Sequence, residues 1–154
     1  MTRTKAWSTH IGTALYRRSG GRLAGGTDDA PVLLLTVPGR RTGLPRSACV
    51  RTIPHDGDYL VWGTGAGSPT DPDWFRNLRH AGAGEGQIGG QRFRFTAREL
   101  TGEDREHVWH DVVLRRLPKV ARYARRAGRP IPVARLTVLD TVAEDEGGQD
   151  AVDR

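Results

Sequence analysis

Two turn signals, Asp56-Gly57 and Gly89-Gly90, each set between strand-like segments, constrain this chain more than any other feature. Such pairs suit two-residue turns whose twist matches antiparallel strands, so each predicts a hairpin and not a strand-helix-strand crossover. Residues 46–53 and 58–64 flank the first turn, and residues 85–88 and 92–100 flank the second. In the last of these, Phe93 and Phe95 alternate with Arg92 and Arg94, which puts both rings on one face, turned inward. Residues 32–37 are a short apolar run between Pro31 and Pro38, too short for a helix and suited to a buried strand. Residues 133–139 supply a sixth strand.

Helical spacing is confined to four places. Trp7, Ile11, Ala14 and Leu15 give residues 5–18 an amphipathic stripe, before a break at Ser19-Gly20-Gly21 and a glycine-rich link to residue 30. Asp71 stands at a cap position with Pro72 at the first helical position, which predicts a helix to about His80. Thr101-Gly102-Glu103-Asp104 resembles a capping box and opens a helix through Val108, Trp109, Val112 and Val113. Pro118 interrupts it, and a second piece reaches about Ala127. Strands joined largely by hairpins, with helices at the margins, predict a mainly β (α+β) protein: a mostly antiparallel barrel, not a doubly wound parallel sheet.

At 154 residues the chain makes one domain, expected over residues 1–139, and buries about 68–70% of its unfolded surface without disulfides or a structural metal. Cys49 is the single cysteine, read as a buried structural thiol. The five histidines show no metal-ligand spacing, so no metal site is expected. No apolar run approaches a membrane span and no leader pattern opens the chain, which predicts a cytoplasmic protein. Residues 140–154 hold six acids and one base and read as a disordered acidic tail, leaving 23 bases against 12 acids before residue 140. A body that basic expects an anionic partner: nucleic acid, an anionic membrane surface or a phosphorylated ligand.

Gly63-Thr64-Gly65-Ala66-Gly67 follows a strand, but Ser68 stands where a dinucleotide fingerprint needs its third glycine, and Pro69 and Pro72 prevent a long helix. What remains is either a flexible surface loop or a small-residue loop whose backbone a flat ligand can approach closely. Arg40, Arg41, Thr42 and Arg46, on a glycine-bounded turn between two strands, form either a solvated basic hairpin or an anion clamp.

Three stretches in order resemble the deazaflavin-dependent nitroreductase family: Thr36-Val37-Pro38-Gly39-Arg40-Arg41-Thr42-Gly43, then Tyr59 to Gly67, then Pro72-Asp73-Trp74-Phe75-Arg76-Asn77-Leu78. With weaker matches around Gly89-Gly90, Ala97 to Glu103 and Arg129 to Val133, the likeness covers residues 32–136. The resemblance implies a split β-barrel, FMN-binding-like in fold, that binds reduced coenzyme F420 and passes its hydride to an electron-poor small molecule: a quinone, an activated alkene or enone, or a nitro compound. It implies that Arg40, Arg41, Thr42 and Arg46 grip the cofactor's phosphate and polyglutamate tail. Trp62, Gly63, Thr64 and Gly65 would lie along the deazaflavin ring, with Trp74, Phe75 and Asn77 completing the groove. By the same likeness Thr64 is the candidate hydrogen-bond donor to the acceptor, Tyr123 a catalytic and substrate-pocket aromatic, and the molecule a monomer or homodimer.

The departures concern the substrate. Gly65 replaces a loop lysine, Arg51 stands where nitroreductase-type members carry tyrosine, and Leu117 and Val120 replace pocket aromatics, which argues against bicyclic nitroimidazoles and for a different acceptor, an acidic or a natural-product-like one, touching Arg51. Two readings compete with this one: a flavin (FMN) barrel oxidoreductase and a basic small barrel that binds nucleic acid. The helix at 5–18, with Arg17 and Arg18, packs either on its own barrel or on a membrane surface.

Overall fold

The computed structural model describes residues 26–27 and 29–142. Its strands are β1 (Gly26–Thr27), β2 (Ala30–Pro38), β3 (Pro45–Arg51), β4 (Ile53–His55), β5 (Asp58–Trp62), β6 (Ala83–Ile88), β7 (Gln91–Glu99) and β8 (Val133–Val142). All are antiparallel, in the order β1-β2-β6-β7-β8-β5-β4, with β3 paired to β2 off that path. The sheet curls into a split β-barrel. Helices lie against it: α1 (Asp73–Ala81), α2 (Gly102–His107), a π-helical turn at Val108–Val113, α3 (Leu114–Arg116) and α4 (Val120–Ala127).

Both turn signals act as expected. Asp56 and Gly57 sit at φ 51° and 79°, the left-handed pair that a tight hairpin needs, and Gly89 at φ 58° serves the second. The stretch expected as one strand over residues 46–53 is divided at Thr52, because β3 pairs with β2 whereas β4 pairs with β5. Thr52 is the corner where the chain passes from one half of the barrel to the other. Its backbone N–H donates to the Pro31 carbonyl at 3.0 Å and its buried hydroxyl donates to the Leu60 carbonyl at 2.7 Å, so the corner is pinned from two sides.

The core has two compartments, separated by the sheet. Leu33, Leu35 and Val37 of β2, Phe93 and Phe95 of β7 and Leu136 of β8 point to one side, where Phe75 and Leu78 of α1 cover them. Leu60 and Trp62 of β5 and Val133 of β8 point to the other, against Val108, Trp109, Val112 and Val113. Alternation along β5 explains how one strand serves both: Val61 faces the first compartment and its neighbours the second. Each fully buried Phe or Leu contributes about 1.5–3 kcal/mol of burial, so α1 and the π-helical turn are held mainly by these faces.

Several local expectations need correction. Asp71 does not cap α1: the N-cap is Pro72, and no side chain caps there. Thr101 is the N-cap of α2 without a side-chain capping bond. β8 runs to Val142, three residues beyond expectation, so Asp140 is not tail. It pairs with Arg94 across the β7–β8 ladder, beside a bulge between Arg94 and Phe95. The ion pair and the ladder extend the strand into the acidic segment. The helix expected at residues 5–18 and the rest of the acidic segment lie outside the described residues.

Candidate active site

The strand β5 delivers Trp62 to the barrel edge, and the chain then leaves the sheet through Gly63 into a short 3-10 turn at Gly65–Gly67. Glycine is favoured here. Gly65 and Gly67 have φ of 55° and 88°, and a Cβ on Gly63 would stand 3.1–3.2 Å from Pro72, Phe75 and Pro132. One side chain fixes the loop. Arg129, just before β8, donates to the carbonyls of Gly63 (3.1 Å), Thr64 (3.2 Å), Ser68 (3.1 Å) and Thr70 (2.9 Å), and to the Asp71 carboxylate at 2.8 Å. Asp71 also accepts from Arg79, which is bound in turn by Glu99 at 2.7 Å. Glu99, ahead of Asp71, holds Arg79 protonated more firmly than usual. Asp71 thus joins the loop to α1 instead of capping the helix.

The loop forms one wall of a cavity of about 720 Å³, within the range of small-molecule sites. Trp62, Thr64, Gly65, Ala66 and Trp74 line this side; Cys49, Val50 and Arg51 of β3 line a second. The third is the connection from α3 to α4, with Arg116, Leu117, Pro118, Lys119, Val120 and Tyr123. Tyr123 is 40% exposed, on a helix that buries Ala127 and packs Val120 and Ala124 against the core, an arrangement that leaves an aromatic face open to a ligand.

Six of the expected site residues therefore meet at one cavity: Arg51, Trp62, Thr64, Gly65, Trp74 and Tyr123. Others stand elsewhere. Phase of the α1 helix turns Phe75 fully into the core, so it is not a cavity wall, and Gly63 is buried behind the loop. Asn77 is also buried. Its carboxamide oxygen accepts from Arg40, so these two hold each other instead of facing the cavity. Arg41 and Thr42 are exposed on the β2–β3 turn, where Thr42 Oγ1 accepts from the Leu44 N–H at 3.3 Å, and Arg46 is exposed at the start of β3.

Cys49 is a further correction. It is exposed on the cavity wall rather than buried, though partial desolvation still pushes its thiol pKa up. Its spacing of two from Arg51 on a strand was the available signal. Arg116 and Lys119 carried no comparable signal, since only the tertiary placement of the α3–α4 connection brings them here. Phe93 and Phe95, at 2% and 1% exposure, are buried as expected and offer no platform for base stacking. No helix among the described residues is long and apolar enough to cross a membrane.

A family model described as F420H(2)-dependent quinone reductase matches residues 8–138. The chain belongs to the F420H(2)-dependent quinone reductase family. An F420H(2)-dependent quinone reductase of Mycobacterium tuberculosis is 34% identical over 128 residues, covering 80% of this chain and 85% of that one. A solved F420-H2 dependent reductase is 31% identical with a TM-score of 0.61, over 69% of this chain and 93% of its own. A solved domain-swapped dimer is 26% identical with a TM-score of 0.64, over 86% and 98%. As a member of this family the chain is a deazaflavin-dependent oxidoreductase with coenzyme F420 as its cofactor.

The residues present fit that group. A flat ring needs a wall without side chains and apolar surface beside it, which Gly65 and the indoles of Trp62 and Trp74 offer. Phosphate and carboxylates need cations, which the exposed Arg41 on the neighbouring turn and Arg46 at the start of β3 present.

Proposed function

We propose that this protein reduces electron-poor small molecules, quinones foremost and activated alkenes or nitro compounds by the same chemistry, in the cavity between β3, the Gly63–Asp71 loop and the α3–α4 connection. The observation that carries the reading is the convergence of Trp62, Thr64, Gly65, Trp74 and Tyr123 on one cavity of about 720 Å³. When bound, reduced F420 supplies the hydride.

The protein's task is position and electrostatics. Trp62 and Trp74 give apolar faces against which flat groups lie, and they keep water from them. Arg41 and Arg46 bind the cofactor's anionic end, while Arg40 and Asn77 hold the turn that carries them. The Thr64 hydroxyl lines the cavity and donates a hydrogen bond to the acceptor oxygen on which negative charge develops, and Tyr123 stacks on the acceptor. The likeness to a domain-swapped dimer supports a homodimer as the working assembly.

Titration of the purified protein with F420, followed by cofactor fluorescence, with FMN and NADPH in parallel, tests the cofactor. Micromolar or tighter F420 binding, weakened by Arg41→Ala and Arg46→Ala, is expected. Stronger binding of FMN, or none of F420, overturns it. For the acceptor, reduced F420 is mixed with menadione: Thr64→Val is expected to lower kcat by about tenfold or more, with Thr64→Ser retaining most activity. Equal rates for wild type and Thr64→Val remove the role given to the hydroxyl.

A further inference from the structure

Within the cavity the charges are all of one sign. Arg51, Arg116 and Lys119 line it, and no aspartate or glutamate does. Elsewhere the arginines packed against the fold have carboxylate partners: Arg40 with Asp73 at 3.1 Å, Arg79 with Glu99 at 2.7 Å, Arg129 with Asp71 at 2.8 Å and Arg135 with Asp58 at 3.7 Å. Among the described residues, Arg51, Arg116 and Lys119 have none.

Two of the three are held at one end of the cavity. Arg51 ends β3 directly before the pinned corner at Thr52, so its backbone is fixed by the hydrogen bonds of that corner. The Arg116 Nη1 donates to the Pro54 carbonyl at 3.0 Å, on the strand that leaves the same corner. A carbonyl neutralises no charge, and the other N–H groups of that guanidinium remain available. Lys119 stands beyond Pro118, on the same wall as Arg116. All three side chains are exposed at the cavity's mouth; like charges lining one cavity repel one another, and an anion relieves that cost while accepting forked hydrogen bonds. Trp62, Trp74, Leu117 and Val120 add apolar surface to the same cavity.

We propose that the acceptor this site is built for is a flat, apolar molecule bearing an acid group, a carboxylate or an equivalent anion, seated between Arg51, Arg116 and Lys119. This rests on the reading that the cavity receives the acceptor. The alternative source of the anion is the cofactor's own phosphate and glutamates. Against it, Arg46 and Arg51 lie five residues apart on β3, about 17 Å along an extended strand, so the turn that would hold the cofactor's anionic end and this cluster are separate.

Two probes of one shape decide it: anthraquinone-2-carboxylate and its methyl ester, titrated into the full chain by quenching of tryptophan fluorescence, to which Trp62 and Trp74 in the cavity contribute. At low salt the carboxylate is expected to bind roughly tenfold tighter than the ester, and the gap to shrink as salt rises. Arg51→Gln and Lys119→Gln each narrow the gap, and Arg116→Lys, which keeps the charge, retains more of it than Arg116→Gln. Equal affinity for the two probes, or an unchanged gap in every variant, overturns the proposal. F420 is titrated against the same proteins. If Arg51→Gln weakens F420 and leaves the probe gap intact, the cluster serves the cofactor and the proposal fails while the reductase reading stands. If the wild type prefers the carboxylate but binds no F420, the anion site is supported and the reductase reading fails.

Discussion

The carboxamide oxygen of Asn77 accepts two hydrogen bonds from Arg40, one from its backbone N–H at 3.2 Å and one from Nη1 at 2.7 Å. Arg40 Nη2 reaches Asp73 at 3.1 Å, so the turn that follows β2 is latched to the first half of α1. The most motif-like arginine of the chain thus faces the protein, and its neighbours Arg41 and Arg46 face solvent.

These two kinds of arginine are expected to separate on mutation. Asn77→Ala leaves the Arg40 donors without their buried acceptor and is expected to cost about 1–3 kcal/mol in urea unfolding, with weakened F420 binding as the turn loosens. Arg41→Ala and Arg46→Ala are expected to leave stability within about 0.5 kcal/mol while lowering F420 affinity and flattening its salt dependence. If Asn77→Ala unfolds like wild type, the latch is not a stabilising element.

Arg129 makes the second latch, with four loop carbonyls and Asp71 on one guanidinium. A planar fork can serve that set and an ammonium cannot, so Arg129→Lys is expected to resemble Arg129→Ala instead of rescuing it. Either substitution leaves loop carbonyls and Asp71 short of partners, at about 2–4 kcal/mol. Tryptophan fluorescence is the check, because Trp62 and Trp74 bracket the loop. Full retention of stability in Arg129→Lys contradicts the role of the fork.

How far the sequence revealed this molecule follows from how local each signal is. Asp56-Gly57, Gly89-Gly90 and the Phe93/Phe95 alternation are dictated by neighbours in the chain, and the hairpins and the inward rings appear where they were expected. Asp71 misled, because a cap and a long-range ion pair use the same carboxylate, and Arg129 lies 58 residues away. Thr52 gave no hint that it divides a strand, since its two decisive bonds go to Pro31 and Leu60. In the site, the loop with Trp62, Thr64 and Gly65 was legible from its glycines and from family likeness. The cations at Arg116 and Lys119 depend on how α3 and α4 dock, and nothing local encodes that.

The glycines of β6 give a prediction about packing. Gly84 and Gly86 alternate on one face, where a Cβ at Gly84 would lie 2.5 Å from the Thr36 carbonyl oxygen and one at Gly86 would lie 2.5 Å from the Phe93 ring. A ring can tilt within the core, but a strand carbonyl in a ladder cannot withdraw without breaking its register. Gly84→Ala is therefore expected to cost more than Gly86→Ala, with the first at or above about 3 kcal/mol and the second nearer 1–3 kcal/mol. Thermal unfolding of the two variants checks the order, and a reversed order places the tighter constraint at the ring.

Cys49 offers a chemical report on the cavity. As the single cysteine of the chain, exposed on the cavity wall, it gives every alkylation event one address. Desolvation raises its pKa, so at a given pH less thiolate is present than for a free thiol, and the thiolate is the species that reacts. Iodoacetamide labelling at pH 8 is accordingly expected to be slower than that of free cysteine, and to climb with pH to a midpoint above the ordinary thiol value. A ligand that fills the cavity between β3 and the α3–α4 connection should shield the sulfur, so saturation with anthraquinone-2-carboxylate is expected to slow labelling several-fold at unchanged pH. Mass spectrometry of the intact chain counts the adduct, and Cys49→Ser supplies the blank. Labelling as fast as free cysteine, or unaffected by the ligand, means that the sulfur looks away from the cavity and that its wall on β3 begins at Val50.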